Sequence, residues 1–152
     1  MKAVVQRVSK TVLKVDGELI SEIGKGLVVY LGVQAGDVKE SADYLAKKIA
    51  GMRIFEDENG KMNLSVKDVG GEILVVSQFT LLADTSHGNR PGFTDAEKPD
   101  IANSMYEYFV SLIANTYGIT AKKGVFGADM KIEQHNDGPV TIIMDKREKC
   151  DA

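Results

Sequence analysis

The chain has 152 residues, 43% of them hydrophobic and 27% charged, with a net charge of −3 and a pI near 5.4. Those figures suit one soluble globular domain burying about two-thirds of its extended surface, and they argue against general nucleic-acid binding through a basic face while still permitting a grip on the tip of an RNA. The apolar runs fall far short of a membrane span, no signal-peptide pattern opens the chain, and one cysteine, Cys150, leaves no disulfide framework and no cysteine metal site; the expected setting is cytoplasmic.

Residues 3–8 read as a first strand, with Arg7 an isolated charge among apolar neighbours. Residues 11–15 and 18–23 flank Asp16-Gly17, a hairpin signal because both turn positions need positive φ. After a turn at 24–26, residues 27–33 form a fully apolar run. From Asp37 the period changes: Val38, Ala42, Leu45, Ile49 and Met52 place one stripe on a helix, and Asp37 with Glu40 suggests a capping box. A short strand over 53–55, a charged turn over 56–60 and an edge strand through Met62, Leu64 and Val66 follow. Gly70-Gly71 leads into the run that begins at Ile73.

Residues 83–93 are polar and aperiodic, a surface loop. Pro99 suits the first position of a second helix, whose stripe reads Ile101, Met105, Phe109 and Leu112 and which ends before Gly118. Residues 119–122, 130–135 and 140–144 read as strands, the last two joined through Asn136-Asp-Gly-Pro139. About eight strands and two helices make an α/β or mixed α+β sheet domain over 1–145, with a polar tail over 146–152.

The run from Ile73 to Leu82 starts as β-branched residues suited to a strand buried on both faces. Ser77, Gln78 and Thr80 then interrupt it around Phe79, so a stiff strand delivers small polar groups to its end, a platform for a site. The plainer alternative is a strand end whose hydroxyls satisfy nearby backbone. His87 and His135 are the only histidines, neither with a neighbouring ligand, so no metal is expected. No nucleophile elbow, P-loop or dinucleotide fingerprint occurs, and no cofactor is expected. Thr80 is a candidate nucleophile without an evident base, which weakens covalent catalysis and leaves a hydroxyl or backbone N–H to stabilise an oxyanion. Gly138-Pro139 reads as a hairpin turn, with proline barred from the ladder.

SQFTL at 77–81 and NDGPVT at 136–141, with the opening MKAVVQRV, HGNRPGF at 87–93 and VFGADM at 125–130, resemble the D-aminoacyl-tRNA deacylases as far as about Asp145. Gly92 stands where relatives often carry serine, which touches only loop contacts. The resemblance implies a curved, barrel-like sheet with two packed helices and a homodimer. It implies hydrolysis of D-aminoacyl-tRNA, and of glycyl-tRNA, with Ser77, Gln78, Phe79 and Thr80 at the catalytic end. It further implies that Gly138-Pro139 is cis and crosses into the partner's site, where its carbonyls hold the amino-acid end and exclude an L side chain. Asn136 and Thr141 would brace that turn, and Arg7 would fix the glycine carbonyl unless it makes an ordinary salt bridge. Phe126, Gly127, Ala128 and Met130 would wall the terminal adenosine, or be core. The RNA's 2′-hydroxyl is favoured over Thr80 as the activating group. Two other readings are a small-molecule esterase or amidase with Thr80 as covalent nucleophile, and a non-catalytic RNA-binding dimer module.

Overall fold

The computed structural model describes residues 1–147, so Cys150 and the end of the polar tail lie outside the described residues. One strand, β1 (Lys2–Val15), replaces the two expected over 3–8 and 11–15. Asp16 and Gly17 take φ of 51° and 79° and reverse the chain into β2 (Glu18–Ile23), as their turn chemistry requires. β3 (Gly26–Gly32) runs antiparallel to the first half of β1, from Lys2 opposite Gly32 to Val8 opposite Gly26, while β2 takes the second half.

α1 (Lys39–Gly51) buries Ala42, Leu45 and Ile49, the expected stripe. The capping box does not form. Asp37 instead accepts from the buried Met1 ammonium at 2.7 Å and from the Gln34 backbone N–H at 2.6 Å. A buried cation needs a counter-charge more than a helix end needs a cap. β4 (Phe55–Glu56) and β5 (Met62–Leu64) make a small separate antiparallel pair, shorter than the sequence suggests.

β6 (Glu72–Ser77) lies between β3 and β7 (Ala121–Lys123), parallel to both, and is followed by a single tight helical turn, Phe79–Leu82. α2 (Pro99–Ser111) starts on its proline and continues as a wider turn over Leu112–Thr116. Its buried stripe is Ala102, Tyr106, Phe109 and Ile113, whereas Ile101 is 46% exposed. The helix is rotated from the expected stripe because Tyr106 can be buried: its hydroxyl donates to the Val75 carbonyl at 2.7 Å, and burial pushes its pKa up.

The largest departure is β8 (Met130–Asp145), a single strand where two strands and a hairpin turn are expected. It pairs antiparallel with all of β1, from Lys2 opposite Asp145 to Val15 opposite Met130. Residues 136–139 therefore do not reverse the chain. The sheet order is β2-β1-β3-β6-β7, with β8 along the remaining edge of β1, and the sheet curls into a nearly closed barrel. Leu45, Ile49, Tyr106 and Phe109 pack on one face of it; Val8, Leu13, Ile23, Val28, Leu74 and Val76 fill the inside. Successive residues of β3 and β6 thus serve two cores, which explains their unbroken apolar runs. Among the described residues, no helix is long and apolar enough to cross a membrane.

Candidate active site

The strand β6 ends at Ser77, and the chain folds back at once over β3. Gly32 makes this possible: a Cβ there would sit 2.5 Å from the Leu82 side chain and 3.0 Å from the Gln78 carbonyl. The Gln78 N–H donates to the Leu31 carbonyl at 2.8 Å, so the turn is anchored at its start. Beside it opens a pocket of about 510 Å³, a volume suited to a nucleoside-sized ligand. Ser77, Gln78 and Phe79 line it, and so do Phe126, Gly127, Ala128 and Met130. Two stretches separated by nearly fifty residues in the sequence thus meet around one cavity. Val33, Val76, Asp129, Ile132, Ala96, Glu97, Pro99 and Ala102 complete the wall. The lining is mostly apolar, with Glu97 tied down by the Gly36 and Lys98 N–H groups at 3.3 and 2.8 Å.

Thr80 is exposed just beyond that lining. Its Oγ1 accepts a hydrogen bond from Gln78 Nε2 at 2.5 Å. A neutral amide cannot take the hydroxyl proton, so this contact does not activate a nucleophile. With Oγ1 accepting there, the Thr80 O–H is available to donate to another group. Phe79, 56% exposed, meets Phe93 edge-on at 5.0 Å. That contact and a pair of backbone bonds between Asp84 and Gly92, at 2.8 and 2.9 Å, fix the base of the 83–93 loop next to the pocket. The Asp84 carboxyl is held below its ordinary range by hydrogen bonds from the Ser86 hydroxyl and N–H.

The other motif stands elsewhere. On β8, Asp137 to Val140 form a four-residue bulge opposite the single residue Arg7, between the pairs Gln6–Thr141 and Val8–Asn136. Gly138-Pro139 is cis, as the resemblance implies. Arg7 is only 6% exposed, and its Nε donates to the Asp137 carbonyl at 3.0 Å and its Nη1 to the Ile54 carbonyl at 2.8 Å. The anchored carbonyl is therefore that of Asp137, not that of Gly138. The Asp137 carboxylate also lies 3.5 Å from Arg7 Nε. Asp137, Gly138 and Pro139 are exposed, and neither Gly138 nor Pro139 lines the large pocket of its own chain.

Three residues outside both motifs organise this bulge. Gln134 Nε2 donates to Asn136 Oδ1 at 2.5 Å and to Gln6 Oε1 at 2.7 Å, while its Oε1 accepts from the Tyr30 hydroxyl at 2.8 Å. Gln6 Nε2 then donates to Thr141 Oγ1 at 3.2 Å. Asn136 and Thr141, one on each side of the bulge, are thus joined through two glutamines. Burial raises the Tyr30 pKa, which keeps its hydroxyl a donor. Nothing in the spacing of polar residues along β1, β3 and β8 flags this, because the contacts depend on the bulged register.

Among the described residues, no group of three or more His, Cys, Asp or Glu could hold a metal ion. The sequence profile of the D-Tyr-tRNA(Tyr) deacylase family matches residues 4–145. A D-aminoacyl-tRNA deacylase of Natranaerobius thermophilus is 51% identical over 98% of this chain and 99% of its own. That of Geobacter sulfurreducens is 52% identical over 100% and 99%. Among solved structures, a c-Myc DNA unwinding element binding protein superposes with a TM-score of 0.92 at 43% identity, covering 97% of this chain and 99% of its own. A probable eukaryotic D-amino acid tRNA deacylase superposes at 0.85 and 16% identity, covering 95% and 98%, a likeness of fold. With its profile matched almost end to end and half its residues shared with these relatives, the chain belongs to the D-Tyr-tRNA(Tyr) deacylase family.

Proposed function

We propose that the chain is a D-aminoacyl-tRNA deacylase, a hydrolase that cleaves the ester between a D-amino acid, or glycine, and the terminal adenosine of tRNA. The reading rests on family membership and on the pocket that gathers the SQFTL turn and the 126–130 segment around one space. In it the adenosine end packs against Phe126, Gly127, Ala128 and Met130, and the ester carbonyl lies by Ser77, Gln78, Phe79 and Thr80. A water oxygen attacks that carbonyl, the acyl–oxygen bond breaks, and the RNA oxygen leaves with a proton, giving free amino acid and tRNA. The RNA's 2′-hydroxyl helps activate the water. The Thr80 hydroxyl and the backbone N–H groups of Phe79 and Thr80 stabilise the developing oxyanion. Because the ester is intrinsically reactive, no strong protein nucleophile is needed.

Selection uses a second copy of the chain. The observation that carries this is the separation of the motifs: the Gly138-Pro139 bulge is exposed and lies outside its own chain's pocket, yet a buried arginine holds it in place. A two-fold dimer in which each bulge enters the other chain's pocket completes two equivalent sites. Its backbone carbonyls hold the substrate's amino-acid end and leave no room for an L side chain, while a D side chain points outward. The enzyme then proofreads chirality in the cytoplasm, where charged tRNA is used. Incubation with D-Tyr-tRNA, L-Tyr-tRNA and D-tyrosine methyl ester tests the activity; turnover of the first alone is expected, and no turnover of D-Tyr-tRNA refutes it. Light scattering at assay concentration tests the assembly, for which an active monomer is the contrary result.

A further inference from the structure

The Gln134 amide is committed on three sides: it donates to Gln6 and Asn136 and accepts from Tyr30. The bonds form one chain across three strands. Tyr30 on β3 donates to Gln134 on β8, Gln134 donates to Asn136 and to Gln6 on β1, and Gln6 donates to Thr141 back on β8. The two residues so joined bound the four that bulge away from Arg7. In that interval the ladder of β1 and β8 is out of register, and backbone pairing cannot hold the bulge at a set height. Side chains must do so. Arg7 secures one end, at Asp137, but the structure records no bond from it to Pro139, Val140 or Thr141.

We propose that Gln134, with Gln6 and Tyr30, is a positioning device that fixes both ends of the Gly138-Pro139 bulge and so sets the selectivity of the deacylase. This rests on the function proposed above. An amide matches position 134 in this arrangement, since two neighbours, Gln6 Oε1 and Asn136 Oδ1, present acceptors and a third, Tyr30, presents a donor. Glutamate has the same shape and no N–H, and it turns both attractive contacts into oxygen–oxygen repulsion. Tyr30 acts one step back, because its hydroxyl faces the Gln134 oxygen and orients the amide.

The test compares Q134E and Y30F with the wild type in kcat/KM for D-Tyr-tRNA, in the ratio of D- to L-Tyr-tRNA hydrolysis, and in hydrogen exchange of the Val140 and Thr141 amides. For Q134E the expected result is a loss of about tenfold or more in D-substrate kcat/KM, with a lower D-to-L ratio and faster exchange at 140–141. Y30F is expected to show the same pattern at smaller amplitude, and it carries the test if Q134E does not fold. Wild-type selectivity and wild-type exchange in a folded variant overturn the proposal. A loss of activity with the D-to-L ratio and the exchange unchanged also overturns it, since general destabilisation then suffices. If the wild type itself does not hydrolyse D-Tyr-tRNA, the function fails instead, and the exchange at 140–141 still decides whether Gln134 holds the bulge.

Discussion

Replacing Arg7 by methionine isolates what the buried guanidinium does, because methionine keeps most of the aliphatic volume and removes the donors. Two opposing effects set the magnitude. Arg7 is 6% exposed, so its loss relieves the desolvation of a cation. Against that, the Ile54 carbonyl, bonded to Nη1 at 2.8 Å in a buried setting, loses its charged donor at a cost of about 1–3 kcal/mol. The Asp137 partner counts for less, since its side chain is 53% exposed and water can replace the guanidinium there. The carbonyl prevails because it stays buried whatever stands at position 7. A net destabilisation of about 1–3 kcal/mol corresponds to a Tm lowered by roughly 2–12 °C for a domain of this size. Activity should fall further than stability alone explains, because the released Asp137 carbonyl was the anchor of the bulge. D-Tyr-tRNA hydrolysis should drop by about tenfold or more at a temperature where circular dichroism shows the variant fully folded. Arg7→Lys, with one compact donor in place of a fork, should recover part of the stability and little of the rate. Wild-type Tm and rates for Arg7→Met would refute the reasoning.

Thr80→Ala should retain measurable turnover, losing at most about 2–4 kcal/mol of transition-state stabilisation, and intact-mass spectra of wild type under turnover should show no acyl-Thr80; a trapped acyl adduct would restore the covalent reading. Ala128→Trp, which fills part of the pocket, should raise KM for D-Tyr-tRNA with little change in Tm; an unaltered KM would remove the adenosine from that wall. Asp84 has a depressed folded-state pKa, so its contribution to loop order is complete above the usual aspartate range and is lost as pH falls through the folded value. Hydrogen exchange at 84–92 should therefore be flat through neutral pH after correction for intrinsic rates and rise in acid, and Asp84→Asn should abolish the rise. Ile143, 77% exposed on β8, which among the described residues pairs only with β1, should be covered in the proposed dimer; Ile143→Lys is expected to shift light-scattering mass toward the monomer, and an intact, tight dimer would place the interface elsewhere.

The turn at Asp16-Gly17, the stripe of α1 and the proline start of α2 were legible because each depends on neighbours within a few positions. The stripe of α2 lies one face away from the one its periodicity predicts, since the choice between Ile101 and Tyr106 turns on a carbonyl at Val75, distant in sequence. Asp37 departs from its predicted capping role for the same reason: its partner is the amino terminus, which no local pattern shows. At the site, the grouping of Ser77, Gln78 and Phe79 followed from a strand ending in polar residues, but their meeting with Phe126 to Ala128 needed the resemblance. Asn-Asp-Gly-Pro carries turn chemistry and so predicts a hairpin; only the continuous pairing of β8 with β1 shows that the chain keeps its direction.

That pairing also governs how the chain can fold. β1, which precedes every other element described, finds a partner for one entire edge only in β8, whose register with it runs from Lys2 opposite Asp145 to Val15 opposite Met130. On the ribosome, β2 and β3 can form against its opposite edge early, but this long edge of backbone N–H and C=O groups stays unpaired until β8 has been made. Such closure between distant segments belongs to the slow end of folding rates and leaves a strand edge open to association with other nascent chains. The final step of folding then also shapes the Gly138-Pro139 bulge, so a chain interrupted before Met130 has the SQFTL turn but lacks the bulge on which the proposed selection depends.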